Sequence, residues 1–148
     1  MSRSKVLAGL SVLAGVAVIA SGVAAAQDVI AKRKELMKAV GGATKQSVQM
    51  VKGEAPFDAA KAKAHMDAIA TWGDAATLFP KGTETGDTTA APKIWQTFED
   101  FDAKGKKMAA DAVKAGAAAA EGLDAFKTAF GEVAKACKGC HQDYRVRK

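Results

Sequence analysis

From Ile30 onward the apolar positions return every three or four residues, the period of a helix buried along one side. In the first such segment they are Ile30, Met37, Val40, Val48 and Val51, with Arg33 and Thr44 at intermediate positions of the same face. The spacing predicts a helix closing near Lys52, where Gly53 can stop it and Pro56 can stand near the start of the next. A second helix is expected from about Phe57, with Ala64, Ala68, Trp72 and Ala76 on one side. The stretch "LFPKGTETGDTTAAP" then reads as the one long loop, rich in Gly, Thr and Pro. Pro92 starts a third helix, with a seam at Ile94, Phe98, Phe101, Gly105, Met108, Ala112 and Ala115. A fourth has its seam at Leu123, Phe126, Phe130, Val133, Cys137, Cys140 and Tyr144. Steps of three and four alternate along both seams, and no segment shows the strict alternation of a half-buried strand. The expected fold is all-α, an antiparallel up-down four-helix bundle.

The chain ahead of Ile30 follows a different rule. Arg3 and Lys5 precede an uncharged run over residues 6–26 that ends in Ala24, Ala25 and Ala26 before Gln27. A basic start, an apolar centre and a small-residue end describe a secretory signal peptide, cleaved after residue 26. The competing reading, an uncleaved membrane anchor, is weakened by how much Gly, Ala and Ser the run contains. The mature domain is then expected over residues 27–148, exported to the periplasm. Without Arg3 and Lys5 it carries two positive charges fewer than the full chain's +6. Its lysines are scattered, with no aromatic platform beside them, which argues against a nucleic-acid surface.

Two features of the mature segment belong together. Several seam positions are only Ala or Gly, and "MAADAVKAGAAAA" is nearly all small, so the bundle is short of core volume. In the last helix, "CKGCH" brings Cys137, Cys140 and His141 onto the face toward that core. Two thiols three residues apart can link to the two vinyl groups on one edge of a haem, and the adjacent histidine then reaches the iron. A haem c held this way also fills the missing volume. A thioredoxin-like dithiol would need a strand before it. A zinc site could draw on Cys137, Cys140, His141 and His65, although His65 lies mid-helix in "KAKAHMD". A disulfide across so short a loop would remove little chain entropy and leaves His141 unexplained.

With these residues in hand, the chain resembles the class II c-type cytochromes, the cytochrome c′ family, whose haem motif lies near the C-terminus of a four-helix bundle. Besides "CKGCHQDYR", the segments "VIAKRKELMK", "MVKGEAPFDAA", "LFPKGTETGD" and "APKIW" resemble the family's first helix, first turn, long second loop and third-helix start. The resemblance implies a periplasmic bacterial protein, often a homodimer through the first two helices. It also implies that the residue facing the distal side of the iron is Met37, four after Arg33. Family members with an open distal face bind nitric oxide or carbon monoxide, whereas low-spin members ligate the iron through a methionine in an "L-M-K" context, as in Leu36-Met37-Lys38. Met37 can therefore be a second iron ligand beside His141, or core filling.

The same resemblance sets Arg33 near a haem propionate, against the alternative of a side chain that extends its head to solvent. It makes Asp87 a candidate at the haem edge and gives Arg145 a place beside the proximal ligand, where a cation near a helix C-terminus is also favoured in its own right. Gly105 could let the third helix approach the ring closely, or merely serve a helix crossing. Lys135, Lys138, Arg145, Arg147 and Lys148 surround the motif and could steer an acidic redox partner. The expected function is one-electron transfer by a monohaem cytochrome, with gas binding as the alternative, and not enzymatic turnover.

Overall fold

In the computed structural model, residues 16–147 are described, with side chains from residue 24. The start of the expected leader, residues 1–15, lies outside the described residues. Helix α1 spans Val16–Val51, so Ala26 and Gln27 stand within one continuous helix of the full-length chain. It stops at Gly53, whose φ of 73° lies in the left-handed region that glycine enters without a Cβ clash. Helix α2, Ala59–Ala70, starts where Asp58 accepts a hydrogen bond from the Lys61 amide at 3.0 Å. Its last turn tightens into a 3-10 segment over Thr71–Leu78. After the long loop come a single helical turn, α3 (Lys93–Gln96), and helix α4 (Phe98–Ala118). A 3-10 turn, Ala119–Glu121, leads into α5, Leu123–Tyr144. α1, α2 with its 3-10 extension, α4 and α5 form the four-helix bundle, and no strand occurs among the described residues.

The seams of α4 and α5 hold largely as expected. Phe101, Gly105, Met108, Ala112 and Ala115 are buried on α4, and Phe126, Phe130, Val133 and Tyr144 on α5. Phe98 is the exception, exposed because the chain leaves helical geometry at Thr97 (φ −130°, ψ 51°) and the seam loses phase there. On α2 the buried face consists of Ala62, Met66, Ile69, Trp72 and Ala75, and not the expected Ala64 and Ala76. Alanine tolerates either side of a helix, so the large residues Met66, Ile69 and Trp72 set the rotation. The second half of α1 likewise buries Ala43, Ser47 and Met50, one position ahead of Thr44, Val48 and Val51.

Large side chains gather into two groups, with small ones between. At one end Phe126 is fully buried, stacked on Phe130 at 5.6 Å and tilted against Phe57 at 5.8 Å. Burying one such ring stabilises the fold by ~1.5–3 kcal/mol. At the other end Trp72, Phe79, Trp95, Phe101 and Tyr144 form a chain of edge-on and tilted rings, the closest being Phe79 and Phe101 at 4.7 Å. The helices α4 and α5 pack along their length, and α2 against α4, whereas α1 rests mainly on α2 and the 3-10 segment. What separates α1 from α5 is a cavity.

Candidate functional site

The cavity is about 560 Å³ and opens between α1, α4 and α5. That lies within the range of roughly 300–1,000 Å³ usual for sites that hold small molecules and cofactors. One wall is the last part of α5, with Cys137, Cys140 and His141; another is α1, with Arg33, Met37, Val40 and Thr44. Phe79, Phe101 and Met108 line the side toward the core. The cavity is bordered by the thiols and the imidazole, whereas the small residues of the third-helix seam do not line it: Ala112 and Ala115 are fully buried, and Gly116 lies against Met66 and Lys63 of α2.

The two cysteines are half-buried free thiols, packed against the core rather than enclosed by it. The Cys137 Sγ lies 3.5 Å from the Met108 Sδ. Burial pushes both thiols up, Cys140 to about 11 with Cys137 adding to the effect. Such thiols stay protonated at neutral pH, the reverse of the activated thiolate that a redox dithiol needs. His141 is more exposed than its place in the seam suggested and stands at the cavity mouth. Partial burial, together with the nearby Arg145, pulls its imidazole below the ordinary histidine range, so that it is neutral and able to ligate.

The end of α5 is held firmly. Tyr144 Oη donates to Asp100 Oδ2 at 2.5 Å and lies 2.9 Å from Thr97 Oγ1. Lys104 bridges Asp100 at 2.6 Å and Asp143 at 2.8 Å. The long loop joins the same terminus through its backbone: the Ala91 amide donates to the Tyr144 carbonyl and the Val146 amide to the Thr89 carbonyl, both at 2.9 Å. Sequence reasoning missed this loop-to-tail pairing, because backbone hydrogen bonds leave no mark in side-chain pattern. It also left Met108 as plain seam, although its contact with Cys137 belongs to the site.

The remaining expected residues divide. Arg33 is 5% exposed and lines the cavity, yet its guanidinium also binds the loop, donating to the carbonyls of Leu78 and Thr83 and to Thr83 Oγ1. It lies 4.2 Å from the Phe79 ring centre, and among the described residues no carboxylate is within ion-pair distance. The alternative of a head extended into solvent is excluded. Asp87 pairs with Lys34 at 2.5 Å on the solvent side, and its neighbour Thr88 lines the cavity in its stead. Gly105 gives its space to Trp72: a Cβ there would stand 3.4 Å from the indole. His65 lies 3.4 Å from Ser47, between α1 and α2, and among the described residues no three metal-binding side chains converge. A zinc site drawing on His65 is thereby ruled out.

The residues present fit a haem. Two thiols and a neutral imidazole occupy one wall, apolar rings line the interior, and a buried guanidinium whose hydrogen-bond acceptors are all neutral, with Glu84 nearby, leaves N–H groups to meet an anionic edge.

A family model described as cytochrome c′ matches residues 28–145. A cytochrome c-556 of Agrobacterium tumefaciens (strain B2A) is 42% identical over 120 residues, covering 80% of this chain and 98% of its own. A cytochrome c′ of Rhodopseudomonas palustris is 42% identical over 126 residues, covering 84% of this chain and 86% of its own. Among solved structures, a cytochrome c′ from Rhodopseudomonas palustris superposes with a TM-score of 0.77 at 41% identity, over 82% of this chain and 98% of that one.

Proposed function

The chain belongs to the cytochrome c′ family of c-type cytochromes, whose cofactor is a covalently attached haem c, and on that premise we propose that it carries single electrons, with the iron held between His141 and Met37. When bound, haem c supplies an iron that alternates between Fe(II) and Fe(III) without forming a bond to substrate. Cys137 and Cys140 are the tether points, and the neutral His141 imidazole offers its lone pair from the same helical turn. The observation that carries the reading is Met37, which borders the cavity from α1 while His141 borders it from α5. Met108 is the less suitable sulfur. It is in contact with the Cys137 thiol, on the same wall as the groups that would tether the haem, whereas Met37 faces them from α1.

Met37 and His141 together would hold the iron through a sulfur and a nitrogen, a ligand pair that would raise the potential and suit an electron carrier. Phe79 and Phe101 give the cavity an apolar inner wall, and Arg33 would offer its spare N–H groups to a propionate. The second reading, a five-coordinate haem that binds nitric oxide or carbon monoxide, follows if Met37 only packs over the iron, since its side chain is half-buried and not enclosed. Absorption spectra of the purified protein test the choice. The electron carrier shows a low-spin ferric spectrum with the far-red sulfur-to-iron band and little carbon monoxide binding when reduced. A high-spin ferrous protein that takes up carbon monoxide readily moves gas binding to first place.

Export to the periplasm and cleavage after residue 26 fit the leader pattern, and among the described residues no helix is long and apolar enough to cross a membrane. A homodimer through α1 and α2 is part of the same reading. The partner is an acidic redox protein, met by the exposed Lys138, Arg145 and Arg147 around the motif. Its electron-exchange rate is expected to fall steeply as ionic strength rises past ~0.1 M, where charges more than ~10 Å apart are screened. Stopped-flow rates indifferent to salt would count against that partner.

A further inference from the structure

Helix α1 is the least anchored wall of the cavity, resting on α2 and the 3-10 segment, and near Met37 the long loop adds a further set of contacts. Ile30 abuts Gly86, Lys34 pairs with Asp87, and between them Arg33 enters the loop itself. Its Nε donates to the Leu78 carbonyl, its Nη1 to the Thr83 carbonyl at 2.9 Å, and its Nη2 to Thr83 Oγ1. The Thr83 hydroxyl passes its own proton on to the Pro80 carbonyl at 2.7 Å, which also accepts from Trp95 Nε1 at 3.1 Å. The guanidinium lies 4.2 Å from the Phe79 ring centre and 5.3 Å from that of Trp95. A planar fork with three acceptors and two aromatic neighbours has its orientation fixed, unlike a flexible ammonium.

Met37 follows Arg33 by four residues and lies one turn along the same helix face. Whatever fixes Arg33 about the helix axis therefore fixes how far the Met37 sulfur reaches into the cavity. We propose that Arg33 and Thr83 form a latch that sets the rotation of α1, making them positioning residues for Met37 and hence for the sixth coordination position. The inference rests on the reading of Met37 as the distal residue. Thr83 is buried and does not line the cavity, so it reaches the site through its partners, Arg33 on one side and the Pro80 carbonyl shared with Trp95 on the other.

The test replaces Thr83 rather than Arg33, because Arg33 can also meet a propionate. Thr83→Val removes the hydroxyl and keeps the shape, while Thr83→Ser keeps the hydroxyl. Both holoproteins are compared with wild type by ferric spin state and by the carbon monoxide association rate of the ferrous form, after covalent haem content and helical circular dichroism are matched. Thr83→Val is expected to raise the association rate roughly tenfold, the low end for losing one hydrogen bond to a charged group, with Thr83→Ser within about twofold of wild type. Arg33→Lys, which keeps the charge but cannot span three acceptors, gives the same direction and stands in if Thr83→Val fails to take up haem. Wild-type rates and spin state in both Thr83→Val and Arg33→Lys would overturn the latch, as would a Thr83→Ser variant as altered as Thr83→Val. The wild-type spectrum is read separately. If it lacks the sulfur band, the electron-carrier reading is lost, while the latch is still judged by the change in carbon monoxide rate.

Discussion

Exchange of both Cys137 and Cys140 for alanine is expected to leave no haem on the polypeptide after acid extraction, whereas the parent chain retains it on the peptide that contains both residues. The two thiols are the protein's only cysteines, both border the cavity, and their raised pKa values leave them no role as free thiolates. Either single variant keeps one link and loses haem more slowly under denaturant. His141→Ala separates tethering from ligation: haem mass is retained, but the iron spectrum changes because the proximal nitrogen is gone. Mass spectrometry of the digested protein decides the first point and absorption the second. A parent peptide without haem mass, or an unaltered spectrum in His141→Ala, would remove the basis of the assignment.

Met37→Ala has the second large effect. It is expected to abolish the far-red ferric band, turn the reduced iron high-spin, and raise carbon monoxide affinity by orders of magnitude, since the gas no longer competes with an intramolecular sulfur. Its cost in stability stays at or below about 2 kcal/mol, the low end for Met→Ala, because the side chain is only half-buried. A large spectral change with a small loss of stability marks a ligand; a proportionate change in both marks packing. Titration of ferrous protein with carbon monoxide, paired with denaturant melts, gives the two quantities.

The parts of this molecule that could be read in advance are those where a large side chain leaves one choice of face. On α5, Phe126, Phe130 and Val133 fix the seam, and the same seam then carries Cys137 and Cys140 to the cavity. On α2, Ala64 and Ala76 satisfied the period as well as Ala62 and Ala75 did, and only packing of Met66 and Ile69 against neighbouring helices separates them. The break at Thr97 was hidden because neither Gly nor Pro stands at that position. Arg33 was identifiable as a charge on a seam, but its acceptors are mostly backbone carbonyls 45 and 50 residues away. No local pattern encodes such partners. Asp87, expected at the haem edge, is exposed and pairs with Lys34, itself a residue of the cavity wall, a pairing that the residue spacing of 53 kept out of any local pattern.

The cavity lies between the first and last helices of the bundle, and its two axial candidates are 104 positions apart in the chain. Bringing the ends of so long a stretch together costs more chain entropy than a local contact does, by ~0.6 kcal/mol for each doubling of length. α1 rests on α2 and the 3-10 segment and not on α5, so an opening at α1 would leave the α4–α5 pairing, with Cys137, Cys140 and His141, in place. Amide exchange of residues around Met37 would report that opening directly, and its free energy would set the fraction of molecules in which the α1 side of the cavity is open at any instant. Each ~1.4 kcal/mol of anchorage gained or lost by α1 changes that fraction tenfold.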